Sequence, residues 1–336
     1  MLIFLSALTT GCYKEMLPKE KDYFSDNVSF NKDQYQVNIG RTNVAIGNFN
    51  PDYSTQPLDF TIENPQRADG SPAPELFTAV PAWQWQKYYS GNEKSIDEIN
   101  AKRIRENRPA LDIRPHSGDV VFWNTDSSSI KPGIYTFDIR VKNKGGEKLF
   151  QKRKLDIRRP RPYEPYEFND QTGIRKEEKD GGIIHPGVSG LNDALNNEIK
   201  SDAVNVYFRK TGSQKNTITF KFFDKDSLPI KLSLFNTMQW DSLYYNSKII
   251  DGRILFAFNR TMATDSSQVS FDIPNPFPVL ADVGSSDERA SISFTYDRVS
   301  FGFRKKAAVS LTFGIFEQGS WDIIFKFKTT PKFTND

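Results

Sequence analysis

The sequence contains very little cysteine and histidine. Of its 336 residues, only Cys12, His116 and His185 belong to these two types. One cysteine cannot form a disulfide within the chain, and two distant histidines do not have the spacing of a zinc site. The sequence also lacks a phosphate-binding loop, a serine-hydrolase elbow, a zinc-protease helix and a Cys-x-x-Cys pair. These absences argue against the commonest enzyme classes.

An excess of one charge and a long apolar run are missing as well. The chain has 45 basic and 42 acidic residues, a net charge of +3, which does not indicate a nucleic-acid partner. Basic clusters at 102–108 and 152–161 are predicted to lie on solvated faces. The apolar run at 2–8 is too short to cross a bilayer, which takes roughly 20 residues.

The N-terminal residues predict export and lipidation. An apolar run followed by Thr9-Thr-Gly-Cys12 is typical of a signal peptide over 1–11 with a lipobox, although Thr9 stands where lipoboxes usually carry Leu. We expect Cys12 to be acylated, residues 12–26 to form a charged tether, and the protein to be an outer-membrane lipoprotein facing the cell exterior. The alternative is a hydrophobic N-terminus with a buried thiol.

Alternating apolar and polar runs predict an all-β protein of two domains. The first, at 27–158, is expected to be an immunoglobulin-like sandwich with a hairpin turning at Gly145-Gly146. Ser95-Ile-Asp-Glu98 fits a capping box, which predicts a helix over 96–106. Three prolines within 159–167 indicate a linker.

The second predicted domain, at 168–336, is a larger β-sandwich of the jelly-roll type. Leu191, Leu195 and Ile199 share one helical face, so a short helix is predicted over 190–200. A strand is predicted at 230–235. The runs 307–316 and 321–328 are expected to form a terminal hairpin that turns at 318–320.

Polar residues that resemble catalytic or metal-binding groups have simpler interpretations. His116, Ser117 and Asp119 are close in sequence, but catalytic triads assemble from distant segments, so a turn is favoured. His185 is interpreted as a loop residue. The pairs Asp224/Asp226 and Asp287/Glu288 are expected to lie in turns. No cofactor is predicted, and a structural calcium ion at Asp224/Asp226 stays open.

Aromatic side chains, 13% of the chain, are the remaining functional indication. Two groups of aromatic residues lie beside amide and carboxylate residues in the sequence. This combination is suited to binding sugars. The alternative is that they fill sandwich cores. The candidate glycan-binding residues are Trp83, Trp85, Trp240, Tyr244 and Tyr245.

Several short motifs resemble those of an uncharacterised Bacteroidota lipoprotein family of similar length. They are Cys-Tyr-Lys-Glu-Met-Leu-Pro at 12–18, Ile-Gly-Arg-Thr at 39–42, Gly-Asn-Phe-Asn at 47–50 and Pro-Leu-Asp-Phe at 57–60. The resemblance transfers no site residues. The layout of anchor, immunoglobulin-like domain and β-sandwich is also similar to that of starch-utilisation-type surface glycan-binding lipoproteins.

Three functions are therefore weighed. The leading hypothesis is a non-enzymatic surface lipoprotein that binds glycan during polysaccharide uptake. The alternative is a structural or adhesion subunit that docks on an outer-membrane protein, which predicts an exposed apolar patch or sheet edge. A glycoside hydrolase is a minor alternative, because it needs two facing carboxylates in one cleft.

Overall fold

The computed structural model describes residues 22–90, 93–126, 128–238, 249–250, 253–254, 258–279 and 289–336. In these ranges the protein is almost entirely β, with one short α-helix, which confirms the predicted all-β sandwich architecture. Several residues singled out from the sequence lie outside the described ranges, namely Cys12, Trp240, Tyr244, Tyr245, Asp287 and Glu288.

The bounds of the strands and the helix are as follows. In chain order they are β1 Ser29–Phe30, β2 Gln34–Asn38, β3 Asn43–Ala45, β4 Phe49–Asn50, β5 Asp59–Arg67, β6 Ala79–Trp85, α1 Ile96–Asn100, β7 Arg103–Pro109, β8 Leu111–Ile113, β9 Val120–Phe122, β10 Gly133–Asn143, β11 Gly146–Arg158, β12 Tyr163–Glu164, β13 Gly187–Ser189, β14 Val204–Gly212, β15 Thr217–Phe223, β16 Ile249–Ile250, β17 Arg253–Ile254, β18 Phe258–Met262, β19 Gln268–Asp272, β20 Ala290–Ser300, β21 Phe303–Ile315 and β22 Ser320–Phe327.

The first lobe packs a four-stranded sheet, in the order β2-β11-β10-β5, against the three-stranded sheet β3-β9-β8. Residues of both sheets face one core, which draws its buried residues from 28–157. The predicted hairpin is confirmed, because β10 pairs with β11 in antiparallel register up to Asn143↔Gly146. The Asn143 side chain accepts hydrogen bonds from the amides of Gly145 and Gly146, which closes the turn.

The second lobe is a sandwich of a five-stranded sheet, in the order β14-β22-β15-β19-β18, and a sheet formed by β12, β13, β20 and β21. Phenylalanine rings from the two sheets meet edge to face. The ring centroid of Phe294 in β20 lies 5.2 Å from that of Phe220 and 4.8 Å from that of Phe222, both in β15. The prolines at 160, 162 and 165 flank a strand of this lobe, since Tyr163 is buried and pairs with Ile315 of β21.

Both predicted helices are corrected. Ser95 does cap α1, but the helix ends at Asn100 because the following residues pair with β6 as strand β7. At 190–200 there is no helix. Asp193 instead accepts hydrogen bonds from the amides of Leu195 and Asn197, and this tight turn leaves Leu195 82% exposed. The helical spacing of the apolar residues therefore did not determine the structure here, because hydrogen bonds between the Asp193 side chain and the backbone stabilise a turn instead.

Two predicted β features are also wrong. The segment 230–235 contains a 3-10 turn at Leu232–Leu234 rather than a strand. The last two strands do not form a hairpin: β21 pairs with β12, β13 and β20, whereas β22 pairs with β14 and β15. Because β21 and β22 belong to different sheets of the sandwich, the connection between them crosses from one sheet to the other.

The phenylalanine core gives a direct test of the packing. Replacing Phe294, which is fully buried, by Ala is expected to lower the free energy of unfolding by about 3–5 kcal/mol through lost contacts and a cavity. Phe303→Ala, on the partner strand but 74% exposed, is the matched control and is expected to change it by less than about 0.5 kcal/mol. Urea unfolding measures both. Equal effects would contradict the packing described.

Candidate functional site: the cleft between the lobes

A hairpin of the first lobe, residues 79–109 and hereafter the arm, reaches into the second lobe. It consists of β6, α1 and β7. At its base, Val80 and Ala82 belong to the first core. At its tip, Tyr89 and Ile99 are at most 2% exposed and belong to the second core. Burying each tip side chain contributes about 1.5–3 kcal/mol, so the arm ties the two lobes together.

A buried carboxylate provides a second tie beside the arm. Asp170, 4% exposed, accepts hydrogen bonds from Asn38 of β2 at 3.0 Å and pairs with Arg161 at 2.7 Å and Arg158 at 3.2 Å. Burial would raise the pKa of Asp170, but the Asn38 hydrogen bond and the charges of both arginines outweigh it and hold the pKa below its usual value. The carboxylate is therefore ionised where the two lobes meet.

Between these two ties lies a cleft of about 1160 Å³. The arm forms one wall, loops of the first lobe and the proline-rich segment form another, and the second lobe closes the third side. Six basic and three acidic side chains line it among the described residues: Arg41, Arg103, Arg105, Arg114, Arg161, Lys215, Asp126, Asp272 and Glu317. The amide side chains of Gln84, Asn100, Asn124, Asn216, Asn275 and Gln318 line it too.

One face of the arm presents tryptophan and arginine side chains to this cleft. In the β6–β7 register, Trp83 stands opposite Arg105 and Trp85 stands opposite Arg103, so all four share a face. The Arg103 guanidinium lies 4.2 Å from the Trp83 ring centroid, and that of Arg105 lies 5.5 Å from it. These cation–π contacts hold the face together.

The two tryptophans of this face have different surroundings. Trp83 is 37% exposed, so part of its indole is open to the cleft. Trp85 is half-buried, stacks on Tyr89 at 4.8 Å and packs against the second core. Of the predicted glycan-binding residues that the structure describes, Trp83 is thus the one with the more accessible ring, while Trp85 helps to seat the arm.

Arg103 is a buried cation that has only neutral hydrogen-bond partners among the described residues. It is 7% exposed, donates to the Asn100 side chain at 3.0 and 2.7 Å, and donates to the Asn275 carbonyl at 3.3 Å. Burial lowers the pKa of Arg103 to about 10, so the group stays charged at neutral pH. The Nη1 atom makes no hydrogen bond within the described residues, and the residue lines the cleft.

The basic cluster at 102–108 was predicted on a solvated helix face, and this is wrong for Arg103. Its side chain is buried because β7 is a strand whose alternate residues face the cleft. The sequence did contain an indication of this arrangement. Trp83-x-Trp85 and Arg103-x-Arg105 both have the two-residue period of a strand face.

The histidines and the Asp224/Asp226 pair are not among the residues that line the cleft. His116 occupies a turn with a φ of 74°, in which Asp119 accepts hydrogen bonds from Ser117 and from the Gly47 amide. His185 is in the second lobe, with Nδ1 2.8 Å from the Val204 carbonyl. Asp224 accepts hydrogen bonds from two backbone amides of its own turn, 226 and 228, in agreement with the turn interpretation.

Membrane-spanning helices and metal-binding clusters were sought in the part of the chain that the structure describes. No helix there is both long and apolar enough to traverse a bilayer. The same part holds no cluster of three or more His, Cys, Asp and Glu side chains arranged to bind a metal ion.

Fold and site together define a two-lobed all-β protein with a basic, aromatic cleft between its lobes. The chain belongs to the family described as domain of unknown function (DUF5007), whose match covers residues 49–336, that is, the second lobe and the first lobe from β4 onward. Membership in a family of unknown function agrees with the resemblance seen in the sequence. No curated protein matches the chain. The case for a function therefore depends on the geometry of the cleft.

The Asp170 network predicts a defined pH dependence of stability. Since the folded pKa lies below the unfolded value of about 3.9, the carboxylate stabilises the fold above that value, and this contribution is lost as the pH falls through the folded pKa. Asp170→Asn is expected to cost about 3 kcal/mol at neutral pH and to flatten the acid limb of the stability curve.

Urea unfolding between pH 2.5 and 7 measures this effect. The control is Asp180→Asn, an exposed acid without an ion pair among the described residues, which should leave the curve unchanged. An acid limb that is equally steep in Asp170→Asn and the wild type would contradict the assignment.

Proposed function

We propose that this chain is a non-enzymatic glycan-binding lipoprotein and that the inter-lobe cleft is its binding site. The observation that carries the proposal is the exposed indole of Trp83 on the wall of a deep cleft lined by amides and guanidinium groups. Apolar C–H faces of a sugar pack on an exposed aromatic surface, while side-chain amides and guanidinium groups bind its hydroxyls. A cleft of about 1160 Å³ has room for an oligosaccharide segment.

The placement in the cell belongs to the same proposal. Acylation of Cys12 after the predicted signal peptide would tether the protein to the outer membrane through residues 13–26. Exposure at the cell surface would place the cleft in contact with external polysaccharide. The Bacteroidota lipoprotein resemblance and the layout shared with starch-utilisation-type binding proteins support this context.

An exposed aromatic tip favours the alternative of a docking subunit. Phe301 and Phe303, at the turn between β20 and β21, are 75% and 74% exposed, and Phe301 has a φ of 48°, which is unfavourable for a bulky residue. An outer-membrane protein would be the partner. Its co-purification should then survive Trp83→Ala and be lost in Phe301→Ala/Phe303→Ala.

Truncating Trp83 tests the leading proposal. Trp83→Ala is expected to weaken polysaccharide binding about tenfold or more, because loss of an aromatic anchor removes much of the binding energy. The control is Tyr88→Ala, which removes an 83% exposed aromatic from the same arm but not from the cleft. Affinity electrophoresis through gels that contain different polysaccharides measures both variants, with circular dichroism as the test of folding.

Two outcomes would contradict the proposal. One is that the wild type is retarded by no polysaccharide. The other is that Trp83→Ala and Tyr88→Ala behave alike. Release of reducing sugar from a retained polysaccharide would instead indicate a glycoside hydrolase.

A further inference from the structure

We infer that the glycan carries negative charge, as carboxylate or sulfate ester groups, and that Arg103 and Arg105 recognise this charge. The inference rests on the proposed function and adds the chemical class of the ligand. The two anionic groups share the relevant chemistry, since both present planar or forked oxygens to a guanidinium donor.

The first observation in support is that some arginines of the cleft pair with a carboxylate and others do not. Arg41 and Arg161 both pair with Glu164, at 2.7 and 3.3 Å. In contrast, Arg103 and Arg105 pair with no carboxylate among the described residues. Two unneutralised guanidinium groups side by side on one strand face create a positive field where a ligand would lie.

The acidic side chains of the cleft have partners of their own. Glu317 pairs with Lys210 at 2.6 Å, Asp126 accepts hydrogen bonds from Ser128 and Ser129, and Asp272 accepts one from Asn259 at 2.7 Å. None of these three carboxylates is within ion-pair distance of the two arginines. The positive face of the arm is therefore left for a ligand.

The second support is the way in which Arg103 is held. Asn100 fixes two of its nitrogens and Trp83 lies against its plane, so the side chain is already ordered. A buried cation without an anion is unfavourable, because its desolvation is not offset by an opposite charge. An anionic ligand group at Nη1 would supply that charge at little cost in side-chain entropy.

The Arg105 guanidinium, unlike that of Arg103, is not fixed in one position. Its side chain is exposed and touches only the Trp83 ring among the described contacts, so it is able to turn toward a ligand. Trp83 contacts both guanidinium groups. A sugar against the exposed part of its ring would thus lie close to two cations.

Matched pairs of polysaccharides test the inference on the full chain. Polygalacturonate and its methyl ester differ in the carboxylate charge, and dextran sulfate and dextran differ in the sulfate. We expect at least one charged member to bind about tenfold or more tightly than its neutral counterpart, with an affinity that falls as salt rises. The pair that shows the difference identifies the anionic group.

Arg105→Gln is the informative variant, because this exposed side chain is not part of the core. It should reduce the affinity for the charged member about tenfold and that for the neutral member by a clearly smaller factor, because a hydrogen bond to a hydroxyl is weaker than one to an anion. Arg108→Gln, on the same strand but on its opposite face, removes an equal charge and should change binding by less than about twofold.

The outcomes separate the inference from the proposed function. Equal binding of charged and neutral members, lost in Trp83→Ala, would overturn the inference and leave glycan binding in place. Polyanion binding that is insensitive to both Arg105→Gln and Trp83→Ala would overturn the inference as a non-specific charge effect. If the protein binds none of these four polysaccharides and none in a wider panel, both the inference and the proposed function are overturned.

Discussion

The burial of the arm tip in the second lobe is the contact on which the rest of the structure depends. Tyr89 and Ile99 belong to the chain of the first lobe, yet they complete the hydrophobic core of the second. Because a hairpin so short cannot be stable alone in water, its strands are held by the packing at both ends. The position of the tip therefore fixes the arm, and the arm fixes the shape of the cleft.

The arm also explains how a nearly neutral protein obtains a basic site. The net charge of +3 is spread over 336 residues, but β7 concentrates arginines on a face that both lobes enclose. Trp83 and Asn100 order the guanidinium of Arg103, and its hydrogen bond to the described part of the second lobe goes to a neutral carbonyl. The Asp170 network neutralises the arginines on the opposite side of the junction. The two arginines of the arm, Arg103 and Arg105, keep their charge without an ion pair among the described residues.

Local patterns predicted the strands well and the long-range arrangement poorly. The segment 217–222 alternates polar and apolar residues and belongs to β15, and the glycine pair at 145–146 does close a hairpin. In contrast, β21 and β22 lie in different sheets, because pairing partners depend on the whole sandwich. The spacing of Trp83 and Trp85 indicated a shared face, but its exposure to a cleft follows from the docking of Ile99, far from that pattern. Arg103 was missed because its segment was interpreted as helical.

Hydrogen exchange of the wild-type protein, followed by mass spectrometry, tests the docked arm most directly. If the tip is seated in the second core, the amides of β6 and β7 should exchange as slowly as those of β15 and β22, through unfolding of the whole lobe. If the arm amides instead exchange at the rate of exposed loops while β15 stays protected, the arm is not held in place. The cleft would then have no fixed wall, which would contradict this account.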